Sequence, residues 1–421
     1  MTSAPSHPAP LSAYQKRLLV FLSVACFFEG YDFFALAQLL PNLRAEMALS
    51  PGQGGLMVTL INLGSMFAYL LVSKADKWGR KRVLTITITG YTVCSLLTGL
   101  SRGPVSFTLF QVMARLFLIG EWAVAMVYAA EEFPADRRGM AIGVIQACSS
   151  LGAVTCAGVV PILLHTPWGW RTVYFVGTIP LIIVALARRS LRETKRFSSL
   201  RAHARLDRHS VFHILRTPYR NRMLLVGLIW ALTYLCTSSA ITFWKEFAMA
   251  SRGFTDGDVG QSMTIAALAS MPFIFLSGKL LDALGRKLGA ALVFLITAGG
   301  VMGAYSLQSK TALTGALVLG IFGATAVLPV LNSYTAELFP THLRSDAYAW
   351  ANNILGRIGY VLSPALVGAG AERFGWGPAA ASTGVFPILA VILIVLFLPE
   401  TKGLELEETS ALRKNPAASG P

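Results

Sequence analysis

The amino-acid sequence predicts an all-α membrane protein: twelve transmembrane helices in two pseudo-symmetric six-helix bundles, with both termini in the cytoplasm. The first observation is composition, because 54% of the 421 residues are hydrophobic, only 14% are charged and the mean hydropathy is +0.58. Soluble domains have a far more polar balance. The second observation is that long apolar segments recur along nearly the whole chain. The third is an internal repeat that divides the chain into two halves.

Each predicted span is a long apolar segment bounded by short polar gaps. A membrane-spanning helix needs about 20 mostly apolar residues. Segments of that kind occupy residues 18–40, 55–73, 83–100, 105–130, 139–164, 172–187, 223–247, 259–281, 288–307, 312–336, 347–371 and 378–398. The resulting division is a cytoplasmic tail 1–16, a first bundle 17–190, a basic cytoplasmic linker 191–222, a second bundle 223–399 and a cytoplasmic tail 400–421.

The basic residues decide the orientation and the class of partner. The formal net charge is +15, and most of the 36 Lys and Arg residues fall in segments that are cytoplasmic when the amino terminus is inside. This asymmetry follows the positive-inside rule, so it favours a bilayer partner over nucleic acid. The linker is expected to face anionic lipid headgroups. The five cysteines lie in apolar segments without a Cys-x-x-Cys pair, so neither a disulfide framework nor a metal site is supported.

An internal repeat carries the same charged loop motifs twice. Asp76, Gly79 and Arg80 recur as Asp282, Gly285 and Arg286, and Glu131 and Arg138 recur as Glu337 and Arg344, each 206 residues later. Glycine permits a tight turn between helices, and the acids are expected to face basic side chains and helix ends. We therefore expect two cytoplasmic latches, each completed by its Glu–Arg pair. The alternative is that these are ordinary loop charges that set the topology.

Three acids lie inside predicted spans, where a charge costs about 2.5–3.5 kcal/mol on insertion scales. Glu29 and Asp32 are three residues apart and therefore share one face of the first helix. Two carboxylates held close in a low-dielectric site cannot both stay ionised, so one of them is suited to carry a proton. The alternative is a structural pair that is hydrogen-bonded to neighbouring helices or paired with an arginine. The third acid is Glu121.

An arginine in the eleventh span predicts an anion site. In an α-helix, Arg357 shares one face with Asn353 and Tyr360. The planar guanidinium suits a carboxylate, and amide and phenol donors around it add to such a site. A permanent ion pair with an internal acid is the alternative. Further candidate cavity walls are Trp230, Tyr234 and Asn332, although aromatic residues in membrane helices also serve as packing or interface anchors.

The quoted loops resemble the signatures of the Major Facilitator Superfamily over nearly the whole chain. DKWGRKR and GKLLDALGRK resemble its loops after the second and eighth helices, and YAAEEFPADRRG and PETKG resemble further signatures. ARLFLIGEWAVAM and EGYDFF resemble stretches of bacterial proton symporters for organic and aromatic acids and sialate. The resemblance implies a twelve-helix transporter that works by alternating access and proton coupling, without a bound cofactor.

The same resemblance suggests roles for single residues. It favours Asp32 over Glu29 as the proton carrier, because Asp32 fits the first-helix motifs of both groups. It ties Arg115 to proton transfer or to a second anion contact, with Glu121 as relay, although structural pairing between helices is the alternative. Gln146 falls where sugar porters place a glutamine, but their seventh-helix pattern is absent here, so a hexose substrate is disfavoured.

The sequence therefore predicts a monomeric secondary active transporter of the bacterial cytoplasmic (inner) membrane. Its predicted activity is proton-coupled uptake of an organic acid anion, which is an aromatic acid, a sialate-like acid or a small carboxylate. The alternatives are a facilitator or exporter of a sugar or another neutral or cationic solute, and a non-transporting sensor with the same fold. An enzyme is disfavoured, because no nucleophile–base pair or metal-ligand spacing appears in the spans.

Overall fold

The computed structural model describes residues 11–72, 75–187, 192, 211–402, 404 and 409. The long helices up to residue 187 are α1 (Ala13–Glu46), α2 (Pro51–Val72), α3 (Arg80–Gly99), α4 (Pro104–Glu132), α5 (Ala135–Leu163) and α6 (Arg171–Ala187). A short helix, Ala75–Trp78, precedes α3. The described residues of this part of the chain form helices joined by short loops.

The chain after residue 210 repeats this all-helical pattern. A 3₁₀ turn, Val211–Arg216, precedes α7, and a short helix, Trp244–Arg252, follows it. The long helices are α7 (Arg220–Thr242), α8 (Asp256–Leu284), α9 (Arg286–Ser306), α10 (Lys310–Glu337), α11 (His342–Phe374) and α12 (Trp376–Phe397). The helix α11 contains a π-helical turn, Ala349–Gly356, immediately before Arg357.

Eight of these helices are long and apolar enough to cross a membrane, among the described residues. They are α1, α4, α7, α9, α10, α11, α12 and the part of α5 from Arg137 to Leu163. Large apolar side chains such as Val105, Ile162 and Leu396 are more than two-thirds exposed, as lipid-facing residues are. These helices are consistent with a multi-pass membrane protein. The count of twelve spans and the cytoplasmic location of both termini stay predictions.

The described residues form two compact units. The first lies within residues 1–49, 60–206 and 255–264, and the second within 50–59, 207–254 and 265–421. The units therefore follow the two halves of the repeat except at two helix starts. The start of α2 belongs to the second unit and the start of α8 to the first. Of the predicted linker 191–222, residues 191 and 193–210 lie outside the described residues, and the bundle limits 17–190 and 223–399 stay predictions.

In the first unit, α1 and α5 pack backbone against backbone. A Cβ atom at Gly30 would lie 2.0 Å from the carbonyl oxygen of Ser149, and one at Gly152 would lie 1.8 Å from that of Phe27. Only glycine fits these positions, since any side chain would push the helices apart. The close approach brings the acidic turn of α1 against Ser149 of α5.

In the second unit, α7 and α11 approach each other in the same way. A Cβ atom at Gly359 would lie 2.1 Å from the carbonyl oxygen of Ala231. The start of α2 also packs on α11, because a Cβ at Gly55 would lie 2.3 Å from the carbonyl oxygen of Pro364. The crossing of α7 and α11 sets Arg357 beside the aromatic residues of α7.

Candidate functional site

The first unit contains a cluster of buried acids. Glu29 and Asp32 of α1 are 7% and 6% exposed, and Glu121 of α4 is 1% exposed. The hydroxyl of Ser149 donates a hydrogen bond to a Glu29 carboxylate oxygen at 3.0 Å. The Tyr91 phenol of α3 lies within electrostatic range of all three carboxyl groups. The structure therefore brings together the three acids that the sequence singles out as proton-coupling candidates.

A single buried guanidinium accompanies these acids. Arg115 of α4 is 5% exposed, and its guanidinium carbon lies 4.5 Å from the centre of the Phe33 ring. It interacts electrostatically with Glu29 and Asp32. Among the described residues it forms no ion pair, and its Nη1 atom is buried without a hydrogen-bond partner. If all three acids were ionised, this cluster would carry more negative than positive charge, which a proton is suited to balance.

The second unit holds a guanidinium beside two tyrosine rings that contact each other. The guanidinium carbon of Arg357 lies 5.7 Å from the Tyr234 ring centre and 5.2 Å from the Tyr360 ring centre. The two rings meet edge to face, with 5.7 Å between their centres. No Asp or Glu in the described part of the chain forms an ion pair with Arg357. This half-buried cation is therefore open to an anion, which a permanent internal ion pair would exclude.

The π-helical turn changes which asparagine lies at this site. The sequence places Asn353 on the face of Arg357 by assuming an α-helix throughout. In the structure, Asn352 takes that position: the Tyr234 hydroxyl donates to Asn352 Oδ1 at 2.8 Å, and Asn352 Nδ2 donates to the Tyr348 hydroxyl at 2.8 Å. The wider π turn shifts the register by about one residue. Asn353 is half-buried, and its side chain makes no hydrogen bond in the described residues.

Asn352→Leu is expected to lower the free energy of unfolding by about 1–3 kcal/mol, because the buried amide is lost and the half-buried Tyr234 hydroxyl loses its acceptor. The matched variant Asn353→Leu is expected to change it by less than about 0.5 kcal/mol. Thermal unfolding of the purified variants in one detergent measures the difference. Equal losses for the two variants would contradict the register that the π turn sets.

The remaining predicted wall residues are placed less directly. Trp230 is 1% exposed, and its indole N–H donates to the Thr335 hydroxyl at 3.1 Å. The centre of its ring lies 5.4 Å from that of the Tyr234 ring, so Trp230 packs against that tyrosine. Asn332 of α10 and Gln146 of α5 are exposed, and their side chains make no hydrogen bond within the described residues. The structure does not join either side chain to the Arg357 group.

The repeated loop motifs form two matching ion pairs, but with partners that differ from the expectation. Arg80 pairs with Glu131 at 3.1 Å, and Arg286 pairs with Glu337 at 3.0 Å. The expected pairing of each glutamate with the arginine that follows it in the chain, Arg138 or Arg344, is wrong. Instead, Arg80 at the start of α3 reaches the end of α4, and Arg286 at the start of α9 reaches the end of α10.

The other members of the latch motifs lie around these pairs. Gly79 and Gly285 take positive φ angles of 93° and 89°, which favour glycine, and each directly precedes a helix. The Nε atoms of Arg138 and Arg344 are buried, and they donate no hydrogen bond to any described residue. The side chains of the predicted acids Asp76 and Asp282 lie outside the part of the structure that is described.

The PETK motif after α12 contacts the Arg286–Glu337 pair. The Glu400 carboxylate accepts backbone N–H hydrogen bonds from Arg286 at 2.7 Å, Lys287 at 2.9 Å, and Thr401 and Lys402 at 3.0 Å each. Partial burial alone raises the pKa of Glu400. The four N–H hydrogen bonds together lower the pKa by more than burial raises it, so the pKa lies below its usual value. The hydroxyl of Thr401 also donates to Glu337. The motif therefore ties the carboxyl end of the second unit to the start of α9.

The chain is similar to membrane transporters over most of its length. A sequence model described as Major Facilitator Superfamily matches residues 22–359 and 231–418. The chain is 27% identical to a probable 4-methylmuconolactone transporter of Cupriavidus pinatubonensis, over 90% of this chain and 89% of the relative. It is 24% identical to a sialic acid transporter of Escherichia coli, over 91% of this chain and 95% of the relative.

The fold agrees with these similarities. The crystal structure of a D-xylose-proton symporter superposes with a TM-score of 0.75 at 17% identity, covering 93% of this chain and 99% of that chain. At such an identity the comparison concerns the fold alone. Since the family model covers nearly the whole chain and the fold matches, the chain belongs to the Major Facilitator Superfamily.

Proposed function

We propose that this protein takes up an organic acid anion together with protons, by alternating access across the bacterial inner membrane. The observation that carries the proposal is Arg357, a half-buried guanidinium framed by two tyrosine rings without an acidic partner among the described residues. A buried cation needs a counter-charge, and a substrate carboxylate supplies one in bidentate contact. A neutral solute leaves that charge uncompensated.

The acid cluster of the first unit supplies the proposed proton site. Asp32 and Glu29 lie on one face of α1 with Arg115 as the nearest cation, so protonation of either acid reduces an excess of negative charge. The resemblance of EGYDFF to the first-helix motif of acid symporters also favours Asp32. In the proposed cycle, this group binds the proton from outside before the anion binds at Arg357.

The matched ion pairs at the cytoplasmic loops supply the proposed release step. Arg80–Glu131 and Arg286–Glu337 connect equivalent helix ends in the two units. A small shift of one helix would break either ion pair. We propose that these latches, with Asp76 and Asp282, open for release of the anion and the proton into the cytoplasm. The names of the relatives support an organic acid as substrate, since one is named for sialic acid.

The test is uptake by the purified protein in lipid vesicles with an acidic exterior. Radiolabelled sialate, benzoate, nicotinate and small carboxylates are compared with neutral sugars, after a thermal-shift screen has ranked them. We expect at least one carboxylate to accumulate above its external concentration and above its level in protein-free vesicles, and a protonophore to abolish that accumulation. Accumulation of a neutral sugar alone, or equilibration that ignores the pH gradient, would replace this proposal with the facilitator alternative.

A further inference from the structure

We infer that Glu121 is in its neutral acid form in this conformation and holds the coupling proton here. This assignment deepens the proton coupling proposed above, since it names the acid that stores the proton before Asp32 and Glu29 exchange it. The sequence motifs favour Asp32 as the proton carrier and suggest only a relay role for Glu121.

The surroundings of Glu121 carry the inference. Its side chain is 1% exposed, both carboxyl oxygens are buried, and neither receives a hydrogen bond from the described residues. An ionised carboxylate in such a place has lost its water shell without a donor or a cation to replace it. Burial of the neutral acid costs far less free energy, because only an uncharged polar group is left without hydrogen-bond partners.

The neighbouring acids have the compensation that Glu121 lacks. Glu29 accepts the Ser149 hydroxyl at 3.0 Å and is in electrostatic range of Arg115. Asp32 also interacts with Arg115. These two acids are therefore the ones that the site can hold in the charged form.

The interaction of Glu121 with Glu29 strengthens this division. The two carboxyl groups repel each other when both are charged. The other titratable groups in range are the Tyr91 phenol and the Cys26 thiol, and neither brings a positive charge. If the O–H bond of Glu121 breaks and the proton joins the Glu29 carboxylate, the pair keeps a single negative charge throughout. The pair can therefore pass a proton without creating a second buried charge.

Infrared spectroscopy tests the inference on the protein alone. In an ester-free detergent at pH 7, a buried neutral carboxyl group absorbs in the carbonyl-stretch region, apart from ionised carboxylates. We expect wild-type protein to show this band, Glu121→Gln to lose it, and Glu29→Gln and Asp32→Asn to keep it. Persistence of the band in Glu121→Gln, or its absence from the wild type, would overturn the assignment.

Two further measurements keep the test decisive if Glu121→Gln does not fold. Glu121→Asp retains a carboxyl group and is expected to move the band without removing it. Wild-type protein grown with glutamate labelled at the side-chain carboxyl carbon is expected to show an isotope shift of the band, whereas an unshifted band would assign the proton to an aspartate. No substrate is needed for the infrared test. A neutral Glu121 in a protein whose transport ignores protons would reject the proposed coupling and leave only the protonation of Glu121 standing.

Discussion

Asp32→Asn is expected to abolish uphill accumulation of the transported acid while leaving exchange of that acid across the membrane. Asn keeps the size and the hydrogen-bonding capacity of the side chain but cannot bind and release a proton. A symporter that moves one proton per anion can accumulate its substrate about tenfold for each unit of pH difference. The variant is expected to reach only the external concentration, because the pH gradient no longer acts on the bound complex.

Counterflow in the same vesicles separates coupling from folding and binding. Vesicles loaded with unlabelled acid are diluted into labelled acid, and the variant is expected to exchange the two at a rate close to that of the wild type. Asp258→Asn at the start of α8, outside the acid cluster, serves as the matched control and is expected to accumulate acid normally. Proton-driven accumulation by Asp32→Asn would reject the role of Asp32.

Arg357→Ala is expected to weaken the apparent affinity for the anion by about tenfold to a hundredfold. Hydrogen bonds to charged groups contribute about 1.5–3 kcal/mol each, and the variant removes the guanidinium that lies beside Tyr234 and Tyr360. Arg357→Lys keeps the charge but loses the planar fork, so an intermediate loss is expected. The apparent affinity is read from the concentration dependence of uptake.

A matched arginine of the second unit provides the control for this substitution. Arg252 also lies over an aromatic ring, with its guanidinium carbon 4.9 Å from the Phe247 ring centre, but it follows α7 at the end of a short helix. Arg252→Ala is expected to leave the apparent affinity unchanged. Thermal unfolding of both variants checks that the fold is retained. An unaltered affinity in Arg357→Ala would remove the anion role of this residue.

The acid cluster was accessible from the sequence because charges inside apolar spans are rare and conspicuous. Glu29, Asp32 and Glu121 stand out against apolar neighbours, and helical spacing places the first two on one face. The structure then adds what spacing does not give. Ser149 becomes the partner of Glu29 only because glycines let α5 touch α1. That contact joins residues far apart in the chain, and no local pattern encodes it.

The Arg357 site was predicted only in part, for a reason of helix register. Tyr360 lies beside the guanidinium, as helical spacing predicts. Tyr234, which the sequence names only as a candidate cavity wall, lies beside it too. Asn352 was missed because the prediction assumed an α-helix, and a π turn has no sequence signature of its own. The sequence offers one clue: Asn352 and Asn353 are adjacent, so a shift of the helix register by one residue replaces one side-chain amide with the other at the Arg357 site.

The latches show the same limit for charge pairs. The repeat identified the participating residues, because one register holds across separate loops. It did not identify the partners, since nearness in the chain favoured Arg138 for Glu131, whereas the fold brings Arg80 to it. The family makes the protein a membrane transporter rather than an enzyme, and the coupling ion and substrate remain proposals.

The most direct test of proton-coupled anion uptake is the movement of protons when the anion enters. The transported acid is added to weakly buffered vesicles without a pH gradient, and the external pH is recorded with a dye. Empty vesicles correct for diffusion of the neutral acid through the lipid. Symport predicts that the external medium becomes more alkaline with the wild type and not with Asp32→Asn. Entry of the acid through the wild-type protein without any change in external pH would contradict the account.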